Sequence, residues 1–350
     1  MGEIARAAGG RERIQLMEVC GTHTVSLFRS GVKSLLPAPV RLISGPGCPV
    51  CVTSAAYLDA ACELAGRDDV TICTYGDMVR VPGRGGSLEH ARGRGADVTV
   101  VYSARDAVEL ARRRPGRNVV FLAVGFETTT PATAAAVLEA HRADLPNFFI
   151  LPGHKLVIPA MAALLSAGDV PIDGFLCPGH VSVVIGASAY RPIAEKYGKP
   201  CVVAGFEPVN MLEGILALVR QVSAGTASVE NAYGVAVRQD GNPIARKMID
   251  QVFAPAPAVW RAIGTIDASG LELREAYRHL DAREHFGVAL GEDYEPPGCR
   301  CGEVIQGKMD PPSCSLFGRQ CTPVAPVGPC MVSSEGTCAA WYKYNRPASP

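Results

Sequence analysis

Residues 119–130 have the sequence VVFLAVGFETTT, and an alanine-rich segment from Ala132 to His141 follows them. The six apolar residues Val119–Val124 predict a strand buried on both faces, because a strand with one face in water would alternate apolar and polar residues. The GFETTT run predicts a turn, and its threonines are residues that cap helices. The alanine-rich segment predicts the helix. A buried strand, a turn and a covering helix form the unit from which parallel α/β sheets are built.

The same unit recurs before and after this stretch. Short runs rich in β-branched residues end in a glycine-rich or polar turn, and alanine- or leucine-rich segments separate them. The further predicted strands are 40–43, 70–73, 98–101, 148–151, 174–176 and 201–204. The further predicted helices are 54–64, 106–113, 159–166 and 211–222. Because ligands of parallel α/β sheets bind at the carboxyl ends of strands, we expect the functional residues in the turns.

Two short internal similarities indicate that the sheet-forming part consists of two related domains. Gly-Phe-Glu follows two predicted strands, at residues 125–127 and 205–207, and a Cys-x-x-His pattern occurs at 20–23 and 177–180. We therefore predict an α/β protein with two related parallel-sheet α/β domains and a C-terminal Cys-rich domain that binds an iron–sulfur cluster. The predicted domains cover residues 15–118, 119–225 and 226–350, with residues 1–14 placed beside the third.

The composition limits the class of protein. With 350 residues and 48% hydrophobic content, the chain can bury more than one core. Its formal net charge of +0 argues against nucleic acid or an anionic membrane as the main partner. Residues 1–15 are charged and lack the apolar segment of a signal peptide, and no apolar run reaches the roughly 20 residues that span a membrane. We therefore expect a cytoplasmic protein.

The strand–helix alternation weakens after about Gly225. A short strand and turn are predicted over Gly234–Pro243, and a helix over Leu271–Leu280. Six of the thirteen cysteines then fall between Cys299 and Cys338. In the reducing cytoplasm, so many cysteines more often serve metal or redox chemistry than a disulfide framework.

Four thiolates from this segment would suit a [4Fe–4S] cluster or a structural zinc ion. Zinc sites usually present two Cys-x2–4-Cys pairs, which the segment lacks. The wide spacing C-x14-C-x6-C-x16-C favours a cluster held by a folded subdomain, although zinc and free or paired thiols are alternatives. The cysteines with this spacing are Cys299, Cys314, Cys321 and Cys338. Cys301 and Cys330 are left over, and spacing alone does not exclude either as a ligand.

A second set of thiols lies near the N-terminus. Cys48 and Cys51 form a Cys-x-x-Cys pair after a predicted strand, a spacing that can close a redox-active disulfide or bind a metal. Two incidental loop thiols are the alternative. Cys20 and His23, in the sequence MEVCGTHT, offer a soft sulfur and an imidazole that suit iron, copper or zinc. A capped helix start with a buried cysteine is the alternative for this pair.

Polar side chains follow several predicted strands. The hydroxyls of Thr128 and Thr129, at the start of a helix, are suited to binding a small anion. Glu127, Glu207 and Asp77 are candidate proton donors or hydrogen-bond acceptors, with local capping as the alternative. His154 and His180 are candidate ligands, acids or anion binders. No Walker sequence and no Gly-x-Gly-x-x-Gly fingerprint follows a strand, so nothing in the sequence argues for a bound nucleotide.

Together these motifs resemble the HypD family of hydrogenase maturation proteins. The resemblance runs nearly end to end, and the combination is far more specific than any single motif. The matching segments are MEVCGTHT at 17–24, GPGCPVC at 45–51, GDM and RVPG at 76–83, VGFETT at 124–129, CPGHV at 177–181, GFEP at 205–208 and the cysteine spacing from Cys299 to Cys338.

The resemblance implies a scaffold that assembles the Fe(CN)2CO group of [NiFe]-hydrogenase, rather than a conventional turnover enzyme. It implies that a HypC-type small chaperone shares the iron with this chain, and that a HypE-type protein donates cyanide. The hydrogenase large subunit is then an indirect partner. The resemblance assigns the essential thiol to Cys20 and the redox pair to Cys48 and Cys51. It assigns the [4Fe–4S] ligands to Cys299, Cys314, Cys321 and Cys338.

A mechanism follows as a hypothesis. Low-spin iron that carries cyanide and carbon monoxide requires strong soft donors, so thiolates from Cys20 and from the chaperone would hold it, while His23 tunes or ligates. Electrons from the cluster would reach the Cys48–Cys51 pair. The small ligands would lie among Glu127, Thr128, Thr129 and His180. A [4Fe–4S]-linked protein disulfide reductase and a zinc-stabilised binding module without redox function are the competing interpretations.

Overall fold

A computed structural model of the chain describes residues 1–345. Its strands are β1 (Ile14–Glu18), β2 (Val40–Ser44), β3 (Val70–Thr74), β4 (Asp97–Val100), β5 (Asn118–Gly125), β6 (Phe148–His154), β7 (Gly174–Pro178), β8 (Cys201–Ala204), β9 (Val229–Asn231), β10 (Phe253–Trp260) and β11 (Gly264–Leu273). Its helices are α1 (Gly2–Ala7), α2 (Gly21–Arg29), α3 (Val32–Leu35), α4 (Pro49–Val52), α5 (Ala55–Ala65), α6 (Leu88–Gly93), α7 (Ala104–Arg113), α8 (Thr130–Arg142), α9 (Val157–Ala167), α10 (Gly179–Ile185), α11 (Arg191–Tyr197), α12 (Pro208–Ala224), α13 (Pro243–Val252), α14 (Ala282–Phe286), α15 (Cys301–Ile305), α16 (Pro329–Val332) and α17 (Thr337–Tyr344).

The α/β fold predicted from the apolar runs is confirmed. Each strand predicted between residues 40 and 204 corresponds to one of β2–β8, and the five predicted helices correspond to α5, α7, α8, α9 and α12. In β5 every residue after Asn118 is buried, as expected for a strand covered on both faces. The strand β1 was missed, although all five of its residues are buried, because the sequence IQLME contains two polar side chains.

Two parallel sheets share one topology. The first sheet has the strand order β2-β1-β7-β8-β9, and the second has the order β4-β3-β5-β6. If the strands of each sheet are numbered in the order of the chain, both begin 2-1-3-4. Doubly wound sheets of this kind have a switch point between their strands 1 and 3, where ligands bind at the carboxyl ends. The prediction of two related parallel-sheet units is therefore confirmed by topology.

The sheets do not follow the predicted division of the chain at residue 118. Strand β3, before that boundary, pairs with β5, after it, and Val70 lies opposite Asn118. The first sheet takes its strands from residues 14–44 and 174–231, because β7 returns to pair with β1. The second unit is thus an insertion in the first. The N-terminal helix α1 packs against α12 of the first unit, whereas the sequence placed residues 1–14 beside the C-terminal domain.

Two predictions beyond residue 225 are wrong in part. Residues Gly234–Pro243 form turns rather than a strand, and Leu271–Leu280 is the end of β11 followed by the 3₁₀ helix Glu275–Leu280. The antiparallel hairpin β10–β11 lies over β6 and α9 of the second unit. Its bulge between Ala256 and Ala258 breaks the regular alternation that would have marked a hairpin in the sequence.

The C-terminal segment consists of short helices and turns that pack on both units. Helix α17 lies against α2, and α16 lies against α4. One hydrophobic core joins the segment to both sheets, since it contains Met331 together with Ile43 of the first sheet and Ile72 of the second. Within the described 345 residues, no helix is long and apolar enough to cross a membrane.

Candidate functional site

The carboxyl ends of the two sheets meet at a cavity of about 220 Å³. The four strands that flank the two switch points each contribute to its wall through the turns that follow them. These turns supply Cys20 and Thr22 after β1, His180 after β7, Tyr75 and Met78 after β3, and Thr128 and Thr129 after β5. Ligand-binding edges of two α/β units therefore face each other, which makes this cavity the candidate functional site.

Cys20 stands at the start of helix α2, with its backbone extended as in other N-cap residues. The side chain borders the cavity, although Cys20 is only 8% exposed. Burial raises the pKa of its thiol to about 11, while the nearby backbone N–H of His23 acts in the opposite direction. Cys20 is therefore a neutral thiol at pH 7, and binding a metal ion would expel its proton.

The turn that carries Cys48 touches the backbone of Cys20. Gly21 donates its N–H to the carbonyl of Gly47 over 3.1 Å. A Cβ atom at Gly47 would overlap the backbone nitrogen of Cys20, so glycine is required for this close approach. The two thiol motifs, 28 residues apart in sequence, thus share one backbone contact at the edge of the cavity.

A disulfide joins Cys48 and Cys51 across the first turn of α4. Both residues are buried, at 5% and 0% exposure, while Pro49 and Val50 between them line the cavity. The Cys51 N–H donates to the sulfur of Cys48 over 3.1 Å. The sulfurs therefore lie behind the cavity wall rather than in it. The redox role assigned to this pair stays a prediction.

His23 lies away from the cavity. It is fully buried, its Nε2 lies 3.0 Å from the carbonyl oxygen of Gly205, and its ring packs 4.8 Å from that of Phe206. Burial lowers the pKa of His23 to about 4, so the ring is neutral. The ring of His180 also packs on Phe206, with 3.9 Å between ring centroids, and His180 does line the cavity. Phe206 thus contacts both a buried histidine and one that lines the cavity.

Glu127 is also turned away from the cavity that its neighbours line. Its Oε1 accepts the N–H of Val157 over 3.0 Å at the first turn of α9, and Oε2 is buried with no hydrogen-bond partner among the described residues. Burial raises the pKa of this carboxyl to about 7. The hydroxyls of Thr129 and Thr130 donate to the carbonyl of Phe126 instead of capping α8.

Glu335 of the C-terminal segment completes the cavity wall. The hydroxyl of Thr22 donates to its Oε1 over 2.7 Å. On the other side of the same loop, Oδ2 of Asp77 accepts the hydroxyl of Ser333 and the N–H of Ser334, at 3.1 and 2.9 Å. We call residues 333–336 the strap, because they join the first sheet to the second across the cavity. Asp77 is therefore a structural acceptor here.

Six cysteines of the C-terminal segment surround one small apolar cavity of about 20 Å³. They are Cys299, Cys301, Cys314, Cys321, Cys330 and Cys338. The two that the spacing left over, Cys301 and Cys330, lie next to each other. The N–H of Val327 donates to the sulfur of Cys321 over 3.4 Å. Among residues 1–345, no group of three or more His, Cys, Asp or Glu side chains converges closely enough to hold a single metal ion.

The short helices bring the six cysteines near the upstream disulfide. Helix α16, which contains Cys330, packs on α4, which contains Cys51. Helix α17, which contains Cys338, packs on α2, whose N-cap is Cys20. The three sets of thiols, separate in sequence, are thus held by helices in direct contact.

Comparison with known proteins identifies the family. The HypD family model, described as a hydrogenase formation family, matches residues 1–345. The chain belongs to the HypD family. The HypD hydrogenase maturation factor of Rhodobacter capsulatus is 48% identical, over 98% of this chain and 94% of that protein. The HypD factor of Escherichia coli K12 is 46% identical, over 96% and 90%. A putative hydrogenase expression/formation protein of Methanocaldococcus jannaschii is 42% identical, over 98% and 96%.

In this HypD-family chain, the cavity gathers only part of the predicted site. Cys20, Thr128, Thr129 and His180 line it, whereas His23 and Glu127 do not. The sequence placed all six together because each follows a strand, but side-chain direction depends on packing partners far along the chain. Glu335 was missed for the same reason. Its position three residues before Cys338 carries no local signal of contact with the switch points.

Proposed function

We propose that this chain acts in hydrogenase maturation, as a scaffold on which the Fe(CN)2CO group of [NiFe]-hydrogenase is assembled. Membership of the HypD family supports the process, because related proteins of the family are named as hydrogenase maturation factors. The observation that carries the finer proposal is the Cys20 thiol in the cavity between two facing switch points. In this proposal the iron is cargo, held during assembly and then passed on.

The donors around the cavity suit an iron that is shared with a second protein. Cys20 is the one cysteine of the described chain that lines it, and His180 and Glu335 are the other strong donors there. One thiolate with few further donors leaves coordination positions for diatomic ligands and for a thiolate from a HypC-type chaperone. Loss of the Cys20 proton on iron binding makes loading more favourable as the pH rises, because burial keeps the free thiol protonated.

The cavity is also suited to small ligands. At about 220 Å³, with walls formed largely by Val19, Val124 and Phe126, it would exclude most water around the iron. The hydroxyl of Thr128 and the ring of His180 are the polar groups available to cyanide or carbon monoxide, since the hydroxyl of Thr129 already donates to the carbonyl of Phe126. A HypE-type cyanide donor would have to reach the cavity from the side on which Thr128 and His180 are exposed.

The donor set of the C-terminal segment fits a [4Fe–4S] cluster. Such a cluster takes one thiolate per iron, so its ligands surround a shared space rather than converge on one point. When bound, the cluster would supply single electrons. The ligands would be Cys299, Cys314, Cys321 and Cys338, as the family spacing implies. The N–H of Val327 at the sulfur of Cys321 is a hydrogen bond of the kind that tunes cluster potentials.

In this proposal the Cys48–Cys51 disulfide receives those electrons. Two electrons and two protons convert the Cys48–Cys51 disulfide into two thiols. Because α16 packs on α4, the path from the cluster side runs through contacting helices. The reduced pair would lie directly behind Pro49 and Val50 at the cavity wall. Burial of both sulfurs also disfavours the alternative of a protein disulfide reductase, whose substrate disulfide must reach the attacking thiol.

Infrared spectroscopy tests the scaffold role. The chain would be purified without oxygen after co-expression with its small chaperone and the cyanide donor, as wild type, Cys20→Ala and Cys62→Ala. Cys62 is a half-buried thiol outside the cavity and serves as the matched control. We expect cyanide and carbon monoxide stretching bands in wild type and Cys62→Ala, and none in Cys20→Ala with its brown cluster retained. Bands that persist in Cys20→Ala would show that Cys20 does not hold the iron. The absence of bands from cluster-loaded wild type would favour the protein disulfide reductase function.

A further inference from the structure

A second cavity, of about 190 Å³, lies in the second unit. It is formed by the end of β6, the hairpin β10–β11 and the start of α5, and no residue of its wall borders the cavity of Cys20. Its volume is well above what a single water molecule needs. Cavities of this kind, mostly apolar with a few polar groups, are typical of sites for small ligands.

Lys155 is a buried cation in this wall. It is 6% exposed, and its Nζ donates to the carbonyl of Val259 over 2.8 Å and lies 5.3 Å from the centre of the Trp260 ring. No carboxylate of the described chain lies within ion-pair distance of it. An ammonium group has three hydrogens to donate, so two are left without a protein acceptor. A buried charge without a partner is costly unless a ligand neutralises it.

The other polar groups in the wall are already engaged, except for the Ser54 hydroxyl and the Nδ1 of His154, which is buried without a hydrogen-bond partner. The guanidinium of Arg283 is held by the carboxylates of Glu272 and Asp281. The hydroxyl of Tyr57 donates to the carbonyl of Leu151 over 2.8 Å. Ser54 accepts the N–H of Tyr57 through its Oγ, and the hydrogen of its own hydroxyl is free to donate. The cavity therefore offers one ammonium group without an ion-pair partner, one hydroxyl donor and one free imidazole nitrogen.

We propose that the cavity beside Lys155 binds a small oxyanion with a single negative charge, of the carboxylate or bicarbonate class. The ammonium group of Lys155 matches one negative charge on the ligand. The carboxylates of Glu272 and Asp281 would repel a second negative charge on the same ligand. The ammonium hydrogens and the Ser54 hydroxyl would donate to the two oxygens of a planar anion. The apolar wall formed by Leu271 and Leu290 limits the ligand to a few heavy atoms. The proposal does not depend on the scaffold function.

Binding of this anion should depend on pH. Burial lowers the pKa of Lys155 to about 8, with Asp293 acting in the opposite direction. Because the anion binds the ammonium form, affinity should be constant below about pH 7 and should fall as the pH rises through 8. His154 next to it stays neutral over this range, since burial lowers its pKa to about 4.

Carbon-13 NMR titration tests the site. Labelled formate and labelled bicarbonate would be titrated at pH 7 against wild type, Lys155→Met and Lys247→Met, where Lys247 is an exposed lysine on α13. We expect saturable binding to wild type and Lys247→Met, and roughly tenfold or more weaker binding to Lys155→Met. The anion that binds more tightly shows whether the cavity prefers a carboxylate or bicarbonate. Equal binding to all three proteins, or binding of neither anion, would overturn the proposal.

A second measurement uses only the wild-type protein, so its result does not depend on whether Lys155→Met folds correctly. Reductive methylation by formaldehyde and a borane reagent modifies neutral amines, and peptide mass spectrometry follows each lysine separately. A saturating concentration of the bound anion should slow methylation of Lys155 at pH 8, because the anion both covers the amine and keeps it protonated. Lys247 should react at an unchanged rate. Methylation of Lys155 at the same rate with and without the anion would contradict binding at this site.

Discussion

At the scale of single residues, two identical tripeptides behave differently. Glu127 and Glu207 both end a Gly-Phe-Glu turn, yet the first is 4% exposed and the second lies on the surface. Burial of Glu127 follows from its bond to the N–H of Val157 at the start of α9. Because its second oxygen has no partner, the ionised form is poorly solvated, and the pKa is raised to about 7.

This difference predicts a pH-dependent effect of Glu127→Gln. The folded pKa of about 7 lies above the ordinary value of 4.5, so the stability that protonated Glu127 contributes is present below pH 4.5 and lost as the pH rises to 7. Glutamine cannot ionise and keeps the acceptor for Val157. We expect the variant to gain up to about 3 kcal/mol relative to wild type between pH 5 and pH 8. Urea unfolding midpoints at the two pH values measure this.

The control is Glu207→Gln, which makes the same change in an exposed turn. Its unfolding midpoint relative to wild type should be the same at pH 5 and pH 8, within the roughly 0.5 kcal/mol expected of surface substitutions. If Glu127→Gln shifted the midpoint equally at both pH values, the carboxyl would not titrate differently in the folded protein.

At the scale of elements, the start of α2 and the turn into α4 are held against each other by glycine. Gly47 allows the backbone of that turn to reach the backbone nitrogen of Cys20. Gly21 permits a similar approach on the other side, since a Cβ there would lie 2.5 Å from the carbonyl oxygen of Glu335. The Cys20 thiol therefore has a fixed position between a disulfide-bearing turn and the strap.

Gly47→Ala should displace this arrangement. The added Cβ would overlap backbone atoms, which cannot rotate away as a side chain can. We expect the free energy of unfolding to fall by about 1–3 kcal/mol, the usual effect of overpacking. Gly85→Ala is the control, because a Cβ there meets nothing within 4 Å. Thermal unfolding gives the Tm of each variant. An equal Tm for the two would show that stability does not depend on the close approach of Gly47 to the backbone of Cys20.

At the scale of the whole molecule, the strap joins three parts of the chain. Asp77 lies in the 3₁₀ helix Gly76–Arg80 that follows β3 of the second sheet, Thr22 follows β1 of the first, and residues 333–336 belong to the cysteine-rich segment. A change in the C-terminal segment would therefore reach the cavity of Cys20 through Glu335. The strap also limits how far the two sheets can separate.

Asp77→Ala should loosen the strap without unfolding the sheets. The substitution removes the acceptor for three donors of Ser333 and Ser334. We expect the amides of residues 333–336 to exchange with deuterium about tenfold faster or more, as loss of a hydrogen bond to a charged group implies. Asp59→Ala is the control, since Asp59 holds Arg84 and Gly85 in a different loop. Equal exchange of the strap in both variants would contradict the assigned role.

Sequence could predict the strands and the edge of the sheet that carries the site, but not the contacts made across the molecule. Continuous apolar runs such as Val119–Val124 mark buried strands because burial on both faces excludes polar residues. The direction of His23 depends on Phe206, and the pairing of β1 depends on β7, each more than 150 residues away. Pairings over such distances leave no local pattern, so the insertion of the second unit was not predicted.

This insertion has a consequence for synthesis on the ribosome. Strand β1 emerges early, but its partner β7 begins only at Gly174. At roughly 5–20 residues per second, translation takes on the order of ten seconds to supply it. During that time the second sheet can complete itself, since all its strands lie within residues 70–154. One side of β1 meanwhile exposes unpaired backbone groups, which makes the nascent first unit the part of the chain most open to misassociation.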